Sequence, residues 1–498
     1  MLDYIISQTS KFLEMMPKQE RKKKGQFFTS RETAEYMAGL FCLDNISGSV
    51  SILDPGAGTG ILAAALVTRV QVVTNIQRIS LTCYETDPEV LPLLEQNLEY
   101  IKEHCVKDFS YTLIREDYLL SQADDFEGTL LAKEMPVKYD LIIGNPPYLR
   151  VLKNHAAALS MPSVVHGAPN LYFLFAAMSL FNLKENAEMV YIIPRSWTSG
   201  AYFKAFREYF LHYGKLEHIH LFVSRDKVFK QEQVLQETII LKVKKTQVTL
   251  ATVTLTSSQS NGDFHALTSI SLPYEAVVVG EDFYVFLPTT KKEVQVIQSI
   301  NRYSDTMPDI GIKMKTGIIV DFRQYDDLRT EEGEGNCPLF YSQHIRNGRV
   351  HHQPSGKEFD WVVNTKPGLI QKNKDYIFCK RFSAKEEQRR LQCGVYLAAD
   401  FPEYACIGTQ NKINFVERLD GAELEKTEIY GVYALLNSTL FDQYYRILNG
   451  STQVNSTEVN NIPVPPMSMI REIGERVMQV DDLSTEFCDK VLSEVAYG

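Results

Sequence analysis

The sequence lacks the features that mark secreted, disulfide-linked, zinc-binding or membrane-spanning proteins. Its eight cysteines occur without a Cys-x-x-Cys pair, so neither a metal site nor a disulfide framework is expected. No cationic start followed by an apolar run opens the chain, and no apolar stretch is long enough to span a bilayer. These absences predict a protein of the reducing cytoplasm, with no metal and no membrane partner.

Positive charge is also in short supply. Lysine and arginine number 52 against 62 aspartates and glutamates, which gives a net charge of −10. This balance argues against a protein that coats nucleic acid through bulk electrostatics, so a nucleic-acid partner requires a local basic patch. Hydrophobic residues, by contrast, make up 44% of the 498 residues, enough for a large core in two or three domains.

Short β-branched runs alternate with helical patterns between residues 50 and 245. Strands are predicted at 50–54, 79–85, 111–115, 139–144, 189–193, 216–222 and 237–243, with a helix at 61–70. The alternation is typical of an α/β, doubly wound domain with a mainly parallel sheet, here assigned to residues 1–245. The last two strands follow one another without a long helix, so they are expected to pair antiparallel at one sheet edge.

The pattern changes after residue 245. Residues 246–304 show alternating strands and then a helix at 291–301, and they are interpreted as a connecting region. Residues 305–498 mix glycines, aromatics and basic residues in short strands, which predicts a second, mixed α/β domain. One polar, acidic helix is expected near 468–495.

A glycine-rich turn, Asp-Pro-Gly-Ala-Gly-Thr-Gly, joins the first strand to the first helix at residues 54–60. Gly56, Gly58 and Gly60 would let the backbone approach a ligand at the electropositive helix start. The spacing differs from the Gly-x-Gly-x-x-Gly of dinucleotide sites. Asp54 and Pro55 precede these glycines, and an aspartate there favours a nucleotide-like ligand that carries an ammonium group.

Two further strands end in carboxylates. Glu85 ends the second strand, where an acid commonly accepts both hydroxyls of a ribose. Asp87 is expected to cap the following helix instead. Asp117 ends the third strand and is placed to accept from an adenine amino group, with Tyr118 and Leu119 covering the ring; an ordinary loop carboxylate is the alternative.

The tetrapeptide Asn145-Pro-Pro-Tyr148 follows the apolar strand at 139–144. The prolines fix the backbone, so the Asn145 amide oxygen and the Pro146 carbonyl are predicted to act as two acceptors aimed at one point. Two acceptors suit an aromatic amino group, because holding both N–H bonds frees the nitrogen lone pair for attack. Tyr148 would stack on the base, and Pro147 completes the rigid turn.

These motifs together resemble the S-adenosylmethionine-dependent class I methyltransferases that act on adenine N6 in DNA, of the group whose target-recognition domain comes last. The leading segment Gly-Gln-Phe-Phe-Thr at 25–29, the glycine turn, Tyr-Glu-Thr-Asp-Pro at 84–88 and the Asn145 tetrapeptide occur in that group's order. Asn-Leu-Tyr-Phe-Leu-Phe at 170–175 and Val-Tyr-Ile-Ile-Pro-Arg-Ser-Trp at 190–197 resemble its later blocks.

The resemblance implies roles for individual residues. Phe28, Thr29 and Asp54 would contact the methionine end of S-adenosylmethionine, Glu85 its ribose, and Asp117 with Tyr118 its adenine. It further implies an aromatic residue facing Tyr148 across a flipped base, for which Phe229 is the candidate and Phe222 the competitor. Methyl transfer would then proceed directly to the extruded adenine, without a metal or a covalent enzyme adduct.

A local basic segment offers a site for double-stranded DNA. Residues 341–390 contain eleven basic and five acidic residues, a local charge of +6 with aromatic residues between them. Such a mixture suits phosphate contacts with some reading of base edges, although a solvated charged surface is the alternative. The residues selected as DNA contacts are Arg346, Arg349, Lys372, Lys374, Lys380 and Arg381. The basic run at 21–24 is a second candidate.

The second region resembles the recognition domain of PstI/BsuBI-like restriction-modification methylases. The resemblance rests on Lys-Thr-Gly-Ile-Ile-Val at 315–320, Tyr-Ala-Leu-Leu-Asn-Ser at 433–438, Gly-Ser-Thr-Gln at 450–453 and Ile-Pro-Val-Pro at 462–465. It implies one chain that carries its own sequence specificity, with any companion restriction endonuclease encoded separately. No nuclease motif is evident in the chain itself.

Other functions remain open from the sequence. Asn-Pro-Pro-Tyr also serves methyltransferases of cytosine N4, of rRNA bases and of a release-factor glutamine. The Gly-Gln-Phe-Phe-Thr segment also occurs in methylation subunits of multisubunit restriction enzymes. A DNA-binding protein on an inactive methyltransferase fold is disfavoured by the intact glycine turn and tetrapeptide.

Overall fold

A computed structural model describes residues 1–16, 25, 28–167, 169–222, 237–384 and 386–497. The chain divides into two compact units, Met1–Thr289 and Thr290–Gly498. Phe229 and the basic run at 21–24 lie outside the described residues.

The first unit alternates helices and strands in the predicted way. Its helices are α1 (Leu2–Met15), α2 (Arg31–Gly39), α3 (Ile61–Val70), α4 (Leu91–His104), α5 (Ala123–Glu127), α6 (Ala156–Leu159), α7 (Leu171–Asn182), α8 (Lys204–Tyr213) and α9 (Tyr274–Val277). Its strands are β1 (Gly48–Asp54), β2 (Ile76–Tyr84), β3 (Asp108–Ile114), β4 (Tyr139–Gly144), β5 (Leu183–Pro194), β6 (Gly214–Phe222), β7 (Thr238–Lys245), β8 (Thr252–Ser258), β9 (Thr268–Pro273), β10 (Val278–Val279) and β11 (Tyr284–Val285).

Nine of these strands form one sheet in the order β3-β2-β1-β4-β5-β7-β6-β8-β9. Strands β1 to β5 are parallel, and β7 lies antiparallel between β5 and β6. The predicted α/β class with a mainly parallel sheet is therefore confirmed. The expected antiparallel pair of β6 and β7 forms, but it is not at the edge, because the other side of β6 pairs with β8.

The predicted connecting region at 246–304 is divided between the two units. Strands β8 and β9 extend the large sheet, where β9 pairs antiparallel with β8. The helix expected at 291–301 lies in the second unit as α10, Lys291–Asn301. Thr290 caps it reciprocally with Glu293, which is why the sequence marks its start so clearly.

Helices cover both faces of the large sheet. On one face, side chains of α1 to α4 share a buried apolar cluster with β1, β2, β4 and β5, for example Leu62 and Leu94 with Ile52. On the other, Phe206 and Phe210 of α8 pack against the fully buried Trp197. Burial on both faces explains why the parallel strands are continuous apolar runs.

The second unit contains two smaller sheets and six helices among the described residues. The helices are α10, α11 (Lys426–Asn437), α12 (Thr439–Leu448), α13 (Ser456–Asn460), α14 (Met467–Val480) and α15 (Thr485–Tyr497). The strands are β12 (Ile312–Thr316), β13 (Leu328–Arg329), β14 (Asn336–Phe340), β15 (Ile345–Arg346), β16 (Arg349–Val350), β17 (Trp361–Val363), β18 (Ile370–Lys372), β19 (Tyr376–Lys380), β20 (Cys393–Tyr396), β21 (Cys406–Thr409) and β22 (Ile413–Arg418). The sheet orders are β12-β22-β19-β20-β16-β15 and β13-β17-β14-β21-β18.

The single helix expected at 468–495 is wrong, because the structure has two helices there. Helix α14 ends at Val480, because the next residue, Asp481, has a left-handed φ of 55°. Ser484 then accepts from the backbone N–H of Phe487 and starts α15.

Over the described part of the chain, none of the helices combines the length and the apolar composition that crossing a membrane requires.

Candidate active site

A cavity of about 450 Å³ opens in the first unit where parallel strands of the large sheet end. Ligands of open α/β sheets bind at this edge, outside the carboxyl ends of the strands. Ten of the predicted site residues line the cavity: Phe28, Thr29, Pro55, Gly56, Gly58, Glu85, Asp117, Tyr118, Asn145 and Pro147. Asp54, Gly60, Pro146 and Tyr148 lie next to lining residues without forming its wall.

The glycine turn has the backbone that only glycine adopts easily. Gly58 and Gly60 have φ values of 53° and 86°, both in the left-handed region. Gly60 is also the N-cap of α3, and a Cβ there would lie 3.1 Å from Leu94. The first residues of α3, Ile61 and Leu62, line the cavity, so the electropositive end of this helix adjoins it.

Asp54, the residue at which this turn begins, has a buried carboxyl group without a cationic partner among the described residues. It is completely buried, and none of the basic side chains that the structure describes forms an ion pair with it. Burial raises the pKa of Asp54 to about 7; the backbone N–H groups of Gly56 and Ala63 act against this rise, and the charge of Glu85 adds to it. A ligand cation bound at Pro55 and Gly56 would therefore be attracted, which fits the ammonium group of S-adenosylmethionine.

Glu85 connects the end of β2 to the glycine turn. One carboxylate oxygen accepts from the backbone N–H of Gly58 at 2.9 Å, and the other accepts from Thr86 and Asp87 at 2.8 Å. Burial raises its pKa, although the three N–H groups act in the opposite direction. The carboxylate that was predicted to bind a ribose thus also fixes the shape of the turn.

The opposite wall of the cavity is largely apolar. Asp117 accepts from the backbone N–H groups of Leu119 and Leu120, so one of its oxygens shapes the loop. Tyr118 directs its hydroxyl into the core, where it donates to Asn182 at 2.8 Å. Its ring centroid lies 5.3 Å from that of Phe175, which also lines the cavity. The two rings are inclined to each other by 44° and give this part of the cavity an aromatic lining.

Phe175 and His155 are two of the lining residues that the sequence did not single out. Phe175 belongs to the 170–175 segment, but its apolar pattern is that of any buried helix. His155 has no motif around it; its Nδ1 accepts from the backbone N–H of Ala157 at 3.2 Å and starts α6. No local signal marks either residue as facing a cavity.

The Asn145 tetrapeptide is held by residues from the leading segment. The Asn145 Nδ2 donates to the Thr29 hydroxyl at 3.1 Å, and the backbone N–H of Tyr148 donates to the Gly25 carbonyl at 3.1 Å. A Cβ at Gly25 would lie 3.2 Å from the Tyr148 backbone, and Gly25 has a left-handed φ of 67°, so both the contact and the backbone favour glycine. The Tyr148 hydroxyl donates to the carbonyl of Ile192 at 3.0 Å, which fixes its ring.

The six residues predicted to contact DNA in the second unit differ in how far their side chains are exposed. Arg346 and Lys372 are exposed, and Lys380 is partly exposed. Lys374 differs from the prediction: it is buried, and its ammonium donates to the carbonyls of Gly421 and Ala422.

The two remaining arginines are engaged within the fold. Arg349 forms an ion pair with Asp481. Arg381 donates to the Asn411 carbonyl at 3.0 Å. The charge of +6 counted along the sequence therefore overstates what this surface presents to solvent.

Across the described ranges, no group of three or more histidine, cysteine, aspartate or glutamate side chains is arranged to hold a metal ion. The eight cysteines are free thiols.

Comparisons with known proteins agree with this geometry. Residues 69–229 match the family model described as Eco57I restriction-modification methylase. The chain is 31% identical to the Type II methyltransferase M.BsuBI of Bacillus subtilis, over 95% of this chain and 94% of that protein. It is 32% identical to the Type II methyltransferase M.PstI of Providencia stuartii, over 92% and 90% of the two chains.

A solved structure has a similar fold. The Type IIL restriction-modification enzyme MmeI, determined in complex with DNA, aligns with 99% of this chain and 73% of its own, with a TM-score of 0.51 and 12% identity. The long matches to the two relatives decide the family, and with it S-adenosylmethionine as the cofactor. The chain belongs to the Type II methyltransferases of restriction-modification systems.

Proposed function

We propose that this chain methylates the N6 amino group of adenine at a specific site in double-stranded DNA. The observation that carries the proposal is that Asn145 and Pro147 line the same cavity as Phe28, the glycine turn and Glu85. One space thus adjoins both a group suited to hold an amine and groups suited to hold a nucleoside cofactor.

The cofactor residues have complementary tasks. When bound, S-adenosylmethionine supplies an electrophilic methyl group on its sulfonium. Pro55, Gly56 and Gly58 let its methionine end approach the backbone, with the Asp54 carboxyl group attracting the ammonium from behind the turn. Phe28 and Thr29 cover that end, Glu85 accepts from the ribose, and Asp117 with Tyr118 borders the adenine.

The catalytic residues hold the target base. The Asn145 amide oxygen and the Pro146 carbonyl accept the two N–H bonds of the amine, so its lone pair is freed for attack. Tyr148 stacks on the base that is rotated out of the duplex, which excludes water from the reacting nitrogen. Phe229, which lies outside the described residues, is the proposed partner on the other face of the base.

The second unit supplies sequence recognition in this proposal. M.BsuBI and M.PstI are both named Type II methyltransferases, and this chain matches 94% and 90% of their lengths. We therefore expect one chain both to read and to modify its site. A separately encoded restriction endonuclease of the same specificity is the proposed companion.

Methyl transfer from tritiated S-adenosylmethionine, followed by nucleoside analysis of the product, tests the proposal. We expect N6-methyladenine in duplex DNA. Label in N4-methylcytosine, in RNA or in a release factor would contradict the proposed substrate and support one of the other amino-methyltransferases.

Two variants test the assigned catalytic residues. Asn145→Ala is expected to lower kcat by about 1000-fold, because an acceptor aimed at the reacting amine is lost. Tyr148→Ala should lower kcat/KM for DNA by about 100-fold, while Tyr148→Phe keeps the ring and stays within a few fold. S-Adenosylhomocysteine binding, measured by calorimetry, should be retained in all three. Full activity of Asn145→Ala would refute the assignment.

A further inference from the structure

Two sequence segments of the second unit have no role in the proposed chemistry. These are the Lys-Thr-Gly-Ile-Ile-Val segment at 315–320 and the Gly-Ser-Thr-Gln segment at 450–453. They are far apart in the chain, yet backbone hydrogen bonds bring both to the loop at 410–412 and the strand end at 381–383. Their meeting point is therefore built by the fold.

The first connection joins the 315–320 segment to the 410–412 loop. The backbone N–H of Asn411 donates to the Ile319 carbonyl at 2.7 Å, and that of Gly317 donates to the Ile413 carbonyl at 2.8 Å. A Cβ at Gly317 would lie 2.3 Å from the Gln410 carbonyl oxygen. A side chain at this position would collide with the Gln410 backbone, so glycine allows the two loops to lie in direct contact.

The second connection joins the 450–453 segment to the strand end. The backbone N–H of Val454 donates to the Arg381 carbonyl at 2.6 Å, and that of Ser383 donates to the Thr452 carbonyl at 3.1 Å. Arg381 links both halves, because its guanidinium donates to the Asn411 carbonyl and its backbone N–H to the Lys412 carbonyl.

The residues around this meeting point expose apolar and basic side chains. Phe322 is 79% exposed, and Phe382 and Ile318 are each 43% exposed. Each phenylalanine has an arginine next to it in the chain. The Cζ of Arg323 lies 5.6 Å from the ring centroid of Phe322, and the Cζ of Arg381 lies 5.8 Å from that of Phe382. We name as the composite face the exposed residues Ile318, Phe322, Arg323, Phe382, Lys412 and Gln453.

The charges of this face are mainly positive. Arg323 and Lys412 are exposed and Arg381 is partly exposed, against Asp321, whose carboxylate accepts from Gln410 at 3.5 Å. Cations suit phosphates, the Gln453 amide can pair with a base edge, and apolar rings can contact thymine methyls or a distorted base step.

We infer that the composite face is the surface through which the second unit reads duplex DNA. The inference rests on the proposed function. It moves the DNA contacts from the 341–390 segment as a whole to residues at 318–323, 381–383, 410–412 and 450–453, which only the fold brings together. Lys412 and Arg323 contact phosphates, while Phe322, Phe382 and Gln453 contact bases.

Binding of a mixed-sequence duplex, measured at several salt concentrations, tests whether DNA contacts the composite face or the exposed cations of the 341–390 segment outside it. In the double variant Arg323→Ala/Lys412→Ala, the slope of log affinity against log salt should become shallower by about 2, since each lost phosphate contact removes about 1. Phe322→Ala/Phe382→Ala should weaken binding about tenfold without changing that slope. The matched control Arg346→Ala/Lys372→Ala removes two exposed cations outside the face and should leave both quantities nearly unchanged.

The methylated sequence provides a second readout. Single-molecule sequencing of DNA from cells that express Gln453→Ala should show a target relaxed at one position, with modification still present. S-Adenosylhomocysteine binding and the Tm, measured in every variant, verify that the fold is intact.

The outcomes distinguish this inference from the proposed function. A wild-type chain that neither binds nor methylates DNA would overturn both. Wild-type methylation together with normal binding in both face variants, or loss confined to the Arg346→Ala/Lys372→Ala control, would overturn the composite face alone.

Discussion

The polar side chains around the cavity of the first unit have a different task from the basic side chains of the second unit. In the first, Glu85 and Asn145 stand at strand ends around one cavity, each bonded to a neighbouring turn or segment that also lines it. In the second, Arg390 is completely buried, and it donates to Ser383, to Asn449 and to the Ser451 carbonyl. These polar groups of the first unit shape a binding site, whereas the guanidinium of Arg390 holds together segments of the second unit that are distant in the chain.

The difference shows why a count of charges along the chain is a poor guide to a DNA surface. Lys366 pairs with Asp327, and Arg389 donates to the carbonyls of Leu436 and Ser438. A guanidinium or ammonium that satisfies backbone carbonyls has little capacity left for phosphates. The cations that matter for recognition are those whose surroundings leave them exposed beside a binding surface.

The strongest test of this comparison is removal of a buried arginine. Arg390→Met should lower the free energy of unfolding by about 3 kcal/mol, because several polar groups lose their partner in the core. Urea denaturation measures the effect. The exposed Arg346→Met is the matched control, with an expected change of at most about 0.5 kcal/mol. Equal effects of the two would remove the distinction between structural and exposed cations.

A smaller effect, on chemistry rather than folding, is expected in the first unit at Thr29. The Thr29 hydroxyl accepts from the Asn145 Nδ2. This hydrogen bond fixes the amide so that the Asn145 Oδ1 faces away from Thr29. Thr29→Val should lower kcat by about tenfold to 100-fold, since the amide is no longer held in one orientation. Thr29→Ser keeps the hydroxyl and should restore most of kcat.

Cofactor binding reveals whether Thr29 acts through Asn145. The dissociation constant of S-adenosylhomocysteine, measured by calorimetry, should change by no more than a few fold in Thr29→Val. A large loss of binding with kcat unchanged would make Thr29 a cofactor contact only. In that case the leading segment would not position the tetrapeptide.

The smallest expected effect is a pH dependence of stability in the cofactor-free protein. The folded-state pKa of Asp54 is raised to about 7, so between pH 6 and 7 the folded chain holds a proton that the unfolded chain has lost. Stability should therefore fall as pH rises through this interval, by about 1 kcal/mol. In Asp54→Asn the fall should be absent. Thermal unfolding at the two pH values measures it, and identical profiles would show that Asp54 is not buried as described.

Local signals predicted much of the first unit. Ile61–Val70 and Tyr139–Gly144 begin and end at the predicted residues, because a glycine turn precedes the helix and the strand is one continuous apolar run. The motifs also identified ten residues of the cavity wall. Such features depend on a few neighbouring residues, so the sequence displays them directly.

Features that depend on distant partners were not predictable. The sequence of β8 and β9 does not show that they join the large sheet, because their place there depends on the pairing of β8 with β6. The burial of Arg390 depends on Asn449, 59 residues away. His155 and Phe175 line the cavity only because the strands and helices around them close the space. The left-handed position between α14 and α15 is occupied by Asp481 and not by glycine, so the sequence does not mark the end of α14 there.

The hydrogen bond between Thr29 and Asn145 has a consequence for how the protein becomes active. Its two residues are 116 positions apart, and the neighbouring contact of Gly25 with Tyr148 spans a similar stretch. Contacts of such separation cost more loop-closure entropy than local ones, because the intervening chain must be ordered together with them. A partly folded chain can therefore possess the local glycine turn without the contacts that hold the Asn145 tetrapeptide. Modification activity becomes a sensitive report that the first unit has completed its fold.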